Sequence, residues 1–128
     1  MKRDMDLVRQ ILLACESVPE GKSLPGVPEI EGHSPGEVAY HIHLMGQAGL
    51  LKVVDTSSLT DTSPTAMVLS MTWKGHEFSE AAHSSAVWSA SKEVMKKSGA
   101  AGLDVMLGVL KEIAKQKLRE LGIDLGGT

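Results

Sequence analysis

Residues 18–33 constrain this chain more than any other stretch. Pro19, Pro25 and Pro28 fall there, with Gly21 and Gly26 between them. Each proline removes a backbone N–H and clashes with the turn before it, so no helix runs through the tract. What fits is a loop, with room for a short strand at Val27–Glu31. The tract separates two segments whose helical signals are strong. Before it, Leu7, Val8, Ile11, Leu12 and Cys15 recur at helical spacing between Met5 and Ser17, and Asp4 or Asp6 can cap the start. After it, Ser34-Pro35-Gly36-Glu37 reads as a helix start. Ser34 supplies a cap oxygen, Pro35 sits where its missing N–H costs nothing, and Glu37 can reach back to close a capping box. Val38, Ile42 and Met45 continue as an apolar stripe, and Gly49 stops the helix, giving a span of 35–48.

Leu50–Val54 and Ala66–Met71 read as strands joined by the polar stretch Thr56–Thr65, which makes a β-hairpin. The second strand places Met67, Leu69 and Met71 on one face and Val68 and Ser70 on the other. Thr72 can cap a third helix from Trp73 that carries Phe78, Ala81 and Ala82, and another helix is expected at Ala86–Lys97. After the break at Ser98–Gly102 comes the longest periodic run: Leu103, Met106, Leu107, Leu110, Ile113, Ala114, Leu118 and Leu121. Steps of three and four lay these on one helical stripe. Gly122 ends the run, and Gly126-Gly127-Thr128 is expected to fray.

The order helix, short extended segment, helix, hairpin, helix resembles that of winged-helix proteins. Val38–Leu51 resembles a recognition helix entering the first wing strand, and Leu69–Phe78 resembles the exit from the second. More closely, Met1–Leu13, Gly32–Leu51, Met71–Phe78 and Leu103–Gly122 resemble the bacterial and prophage family known as domain of unknown function 2513. The resemblance implies a fold more than an activity. The expected class is mainly α with a small β-hairpin (α+β): a winged-helix-like domain over 1–84 and a C-terminal helical extension over 85–128, packed on the same core or on a dimer mate. One departure from the helix-turn-helix pattern stands out. The positioning helix before the recognition helix has no room in residues 18–33, so it is absent, shortened or replaced by a strand.

Charge narrows the function classes. The 128 residues carry a net −3, so no global basic field drives the molecule onto nucleic acid. Residues 1–91 hold six Lys/Arg against eleven Asp/Glu, whereas residues 92–128 hold seven against five. A helix that reads DNA presents Arg, Lys, Asn or Gln to bases and phosphates. Residues 34–48 contain no Lys or Arg, which leaves Tyr40, His41, His43 and Gln47 to reach a groove, while Lys52 and Lys74 flank the wing.

Metal, cofactor and catalytic readings find little support. His41 and His43 lie about 200° apart around a helix and cannot share an ion. His76, Glu80 and His83 share a helix face, yet they lack a further strong ligand and are expected to be solvated surface groups. Cys15 falls on the apolar side of its helix, where a buried and inert thiol is expected. No nucleophile elbow or phosphate loop is present, so neither enzyme activity nor a cofactor is expected. The lone cysteine and the absence of an apolar leader or span make the cytoplasm the expected compartment, with no membrane partner.

Two functions remain. One is a phage-related regulatory or accessory protein that binds nucleic acid. The alternative is a protein–protein interaction module with the same fold, using its acidic N-terminal part and methionine-rich surfaces. A homodimer is expected through Leu103, Met106, Leu107, Leu110, Ile113, Leu118 and Leu121. At about 1.5 Å per residue their helix exceeds roughly 25 Å, more than one small protomer covers.

Overall fold

Asp4 starts the first helix as the sequence requires: its carboxylate accepts from the amides of Asp6 and Leu7 at 3.0 and 3.2 Å. This is a computed structural model that describes residues 2–24, 26–56 and 66–122. Its chain divides into two compact units, Met1–Ser79 and Glu80–Thr128. Mainly helical with one antiparallel hairpin, it is an α+β fold.

In the first unit, α1 (Met5–Glu16) buries Leu7, Val8, Ile11, Leu12 and Cys15, the residues that the spacing singles out. Burying each of the larger side chains contributes about 1.5–3 kcal/mol before entropy is counted. Two turns mark the tract that follows. The Lys22 N–H donates to the Pro19 carbonyl at 3.2 Å, and the His33 N–H to the Ile30 carbonyl at 3.1 Å. No helix or strand forms among its described residues, so no positioning helix stands among them. The strand expected at Val27–Glu31 does not form either. Pro28 has no N–H to give a ladder, and the Ile30–His33 turn bends the chain at once.

The capping box is complete at α2 (Pro35–Gln47). The Glu37 N–H donates to Ser34 Oγ at 3.2 Å, and the Ser34 N–H to Glu37 Oε1 at 3.3 Å. Val38, Ala39, Ile42 and Met45 face the core, together with His41. Gly49 adopts φ 80°, a left-handed turn that lets the Leu50 N–H return to the Met45 carbonyl at 3.0 Å.

The hairpin follows directly. β1 (Leu51–Asp55) pairs antiparallel with β2 (Ala66–Met71), Leu51 opposite Met71 and Asp55 opposite Ala66. The register slips between Lys52 and Val53, which leaves Leu69 opposite no residue. Ala66 and Val68 turn inward while the longer Met67 and Leu69 stay exposed. The polar loop expected between the strands lies, apart from Thr56, outside the described residues, as does the expected fraying of Gly126–Thr128.

Thr72 then locks α3 (Trp73–Ala81) onto the base of the hairpin. Its N–H donates to the Leu50 carbonyl at 3.2 Å, and its hydroxyl donates to the Gly49 carbonyl. The same Oγ accepts from the Gly75 N–H at 3.0 Å. Helix and strand come so close here that a Cβ on Gly75 would sit 2.1 Å from the Leu50 carbonyl oxygen. Phe78 and Ser79 are buried, and the Ser79 hydroxyl donates to the Glu16 carboxylate.

The second unit packs α4 (Ser85–Ser98) against α5 (Leu103–Glu120). Ser84 caps α4 by accepting from the Val87 N–H at 3.3 Å, and Gly99 ends it at φ 72°. Val87, Trp88 and Ser91 on α4, and Met106 and Leu110 on α5, are buried. The Ser91 hydroxyl is fully enclosed yet has no hydrogen-bond partner among the described residues. No helix among the described residues is long and apolar enough to cross a membrane.

Candidate functional site

The two faces of α2 divide its polar residues. His41 turns into the core at 3 % exposure. Its Nε2 accepts from the Asp4 backbone N–H at 2.9 Å, and its Nδ1–H donates to the Glu37 carbonyl at 2.8 Å. The imidazole thus ties the start of α1 to α2, with both ring nitrogens engaged inside the unit. Tyr40, His43 and Gln47 share the outer face. The Tyr40 and His43 rings stack with centroids 6.4 Å apart, and the Gln47 amide donates to His43 Nε2 at 3.3 Å. Lys52 projects from β1 and is exposed, whereas Lys74 on α3 is half-buried. The outer face of α2 therefore brings three polar side chains together, none of them a fixed cation. At the start of α2, Glu37 pairs with His33 at 3.2 Å. Its carboxyl is held below the ordinary value of 4.5, first by the His33 hydrogen bond and then by the Ser34 amide.

A groove of about 300 Å³ runs along β2. Val68, Leu69, Ser70 and Met71 form one wall, the Pro19–Leu24 segment forms the other, and Cys15 contributes to the lining. Glu16, Glu20, Lys22 and His76 supply its polar groups. Burial pushes the Cys15 thiol up to about 11, so it lies there as a weakly acidic, apolar surface rather than as a nucleophile. A second, larger hollow of about 480 Å³ lies among Val27, Pro28, Ile30, His33, Pro35 and Val38. His76 and His83 are both exposed, and no three His, Cys, Asp or Glu side chains gather to hold a metal among the described residues.

The family model described as a hypothetical protein, DUF2513, matches residues 2–101. This chain belongs to the DUF2513 family. An uncharacterized protein of Haemophilus influenzae is 34 % identical to it over 121 residues, which cover 94 % of this chain and 98 % of that one. No solved structure matches.

In this DUF2513 protein the apolar stripe of α5 is buried unevenly. Met106 and Leu110 are enclosed, Leu103, Leu107, Ile113 and Leu118 are half-buried, and Leu121 just beyond the helix is 76 % exposed. Three features escape sequence reasoning about the DUF2513 chain. The inward turn of His41 had a readable signal: it lies three residues after Val38 and four before Met45, within the apolar stripe. Trp73 is 81 % exposed, with its indole N–H donating to Glu77 at 3.0 Å. The groove beside β2 had no signal, because it depends on which loop lies along which strand edge.

Proposed function

We propose that this DUF2513 protein is a cytoplasmic, non-enzymatic protein-interaction module, with a winged-helix-like first unit that meets its partner beside β2 rather than through α2. One observation carries this reading: the groove along β2 is lined by Val18, Leu24, Val68, Leu69 and Met71 together with the polar groups of Glu16, Glu20, Lys22 and His76. The helix that would enter a DNA groove speaks against the nucleic-acid alternative. It has no Lys or Arg, and it turns His41 inward. Affinity for DNA rests largely on neutralised phosphates, and each missing cation removes part of that term. The −3 net charge points the same way. The half-buried stripe on α5, ending in the exposed Leu121, supports a homodimer as the state in which the module acts.

Fluorescence anisotropy of labelled generic duplex DNA, titrated from low to physiological salt, tests the choice. The expected result is no saturable binding even at low salt. Micromolar binding that weakens steeply with salt would return the function to nucleic acid and direct mutagenesis to Lys52, Lys74 and the lysines of α5. Light scattering across a concentration series reads the dimer. A monomer at every concentration refutes that part.

A further inference from the structure

Among the described residues the sheet has two strands, in the order β1-β2, so β2 is bonded there along one edge and not along the other. Among the described residues, no backbone hydrogen bond reaches β2 from the Pro19–Leu24 segment across the groove. That segment cannot close the sheet itself. Pro19 brings no N–H, and the Pro19–Lys22 turn with Gly21 at φ 79° folds it out of extended conformation. An unbonded strand edge presents a row of donors and acceptors that readily pairs with another extended chain. Proteins usually cover such an edge or guard it with charge; here Val68, Leu69, Ser70 and Met71 line the β2 side of a groove that stays open between the strand and the Pro19–Leu24 segment, with Glu16, Glu20, Lys22 and His76 in the same lining. Leu69, which the register slip leaves without a partner, is 38 % exposed.

We infer that the free edge of β2 takes an extended, neutral-to-basic peptide segment of a partner protein as a third strand, with one of its apolar side chains seated in the groove beside Cys15. This rests on the interaction-module reading above. Main-chain pairing supplies affinity in such additions, and pockets for alternate side chains supply selectivity. A volume of about 300 Å³ lies at the low end of ligand-pocket sizes, which suits one or two side chains better than a whole small molecule. Charge sets the class of the segment. Glu16 and Glu20 line the groove with Lys22 and His76, and residues 1–79 hold six Lys/Arg against ten Asp/Glu. An acidic strand would meet that field unfavourably, whereas a basic or neutral one would not.

The test uses the full chain and an acetylated, amidated probe peptide of alternating valine and lysine, followed by amide hydrogen exchange. At ten times the Kd, protection of the Val68–Met71 amides is expected to rise about tenfold by mass action. N-methylation of the probe amides along one edge should abolish the effect, while N-methylation along the other edge leaves it intact. Glu20→Lys, an exposed change that leaves the core untouched, should weaken binding by about two- to fivefold. No protection of β2 at millimolar peptide overturns the proposal. Binding indifferent to both methylation patterns overturns strand addition and leaves the interaction-module reading intact. Protection of β2 without peptide that vanishes on dilution gives the edge to a second copy of the chain and likewise overturns the proposal. Salt-sensitive duplex binding in the separate anisotropy assay removes the underlying reading itself.

Discussion

Gly75→Ala should destabilise the first unit, although alanine is the better helix former. The added Cβ would lie 2.1 Å from the Leu50 carbonyl oxygen, where ordinary contact begins at 3.4 Å. The obstacle is backbone, which cannot swing aside as a side-chain end can. α3 or the base of β1 must retreat by about 1 Å, and overpacking of this kind costs about 1–3 kcal/mol. That movement also pulls on the Thr72 N–H bond to Leu50 and on the hydroxyl bond to Gly49, each worth about 1 kcal/mol. Against this, replacing glycine by alanine inside a helix returns about 1 kcal/mol. The balance is a loss of about 2–4 kcal/mol. Gly108→Ala is the matched control, because Gly108 lies within α5 with nothing among the described residues within 4 Å of the new methyl. There the propensity gain stands alone, and stability should rise by about 0.5–1 kcal/mol. Urea unfolding followed by far-UV circular dichroism reads both. The two variants should move the midpoint in opposite directions. A Gly75→Ala protein as stable as the parent would refute the close-approach argument, and a destabilised Gly108→Ala would refute the control.

Three more outcomes follow from single side chains. Ser91→Ala should leave stability unchanged or raise it by about 1 kcal/mol, because it removes an enclosed hydroxyl that has no partner among the described residues; a loss above that size would mean the hydroxyl is bonded in solution. His41→Leu strips the Asp4 N–H of its acceptor at a buried position and should cost about 1–3 kcal/mol; a thermal melt unchanged from the parent would contradict the tie between α1 and α2. The Cys15 thiol, raised from 9.0 to about 11, keeps its proton in the folded chain where the unfolded chain releases it. Its contribution is therefore complete below pH 9 and is lost as pH climbs toward 11. Urea midpoints across that window should fall more steeply for the parent than for Cys15→Ala, and parallel slopes would reject the assignment.

Local chemistry in this chain is legible because the groups that decide it are neighbours in sequence. The Ser34–Glu37 capping box, the inward residues of α1 and the stop at Gly49 all appear where spacing and side-chain type place them. Errors arise where the deciding partner is distant. Val27–Glu31 has extended character on paper, yet a strand exists only if another strand accepts it, and Pro28 withholds a donor. His41 looks like a surface reader beside Tyr40 and His43 until the Asp4 amide, 37 residues away, claims it. Gly75 is one small residue among thirteen glycines, and only the approach of Leu50 makes it irreplaceable. The groove beside β2 is the least legible feature, since it arises from a strand that the tract after α1 does not form.

The pairing of α4 with α5 has a consequence for the order in which the protein acquires structure. These helices are joined by only Gly99–Gly102, so their contacts are close in sequence, and chains of local contacts fold fastest. The first unit must instead bring α1 onto α2 across the proline tract and close Thr72 onto Gly49, 23 residues apart in sequence. Its first residues leave the ribosome early, yet none of this can finish until the chain has been made through Ser79. During synthesis the N-terminal unit therefore waits, with Leu7, Ile11 and Leu12 open to chaperones, whereas the C-terminal helices can pair almost as soon as they emerge.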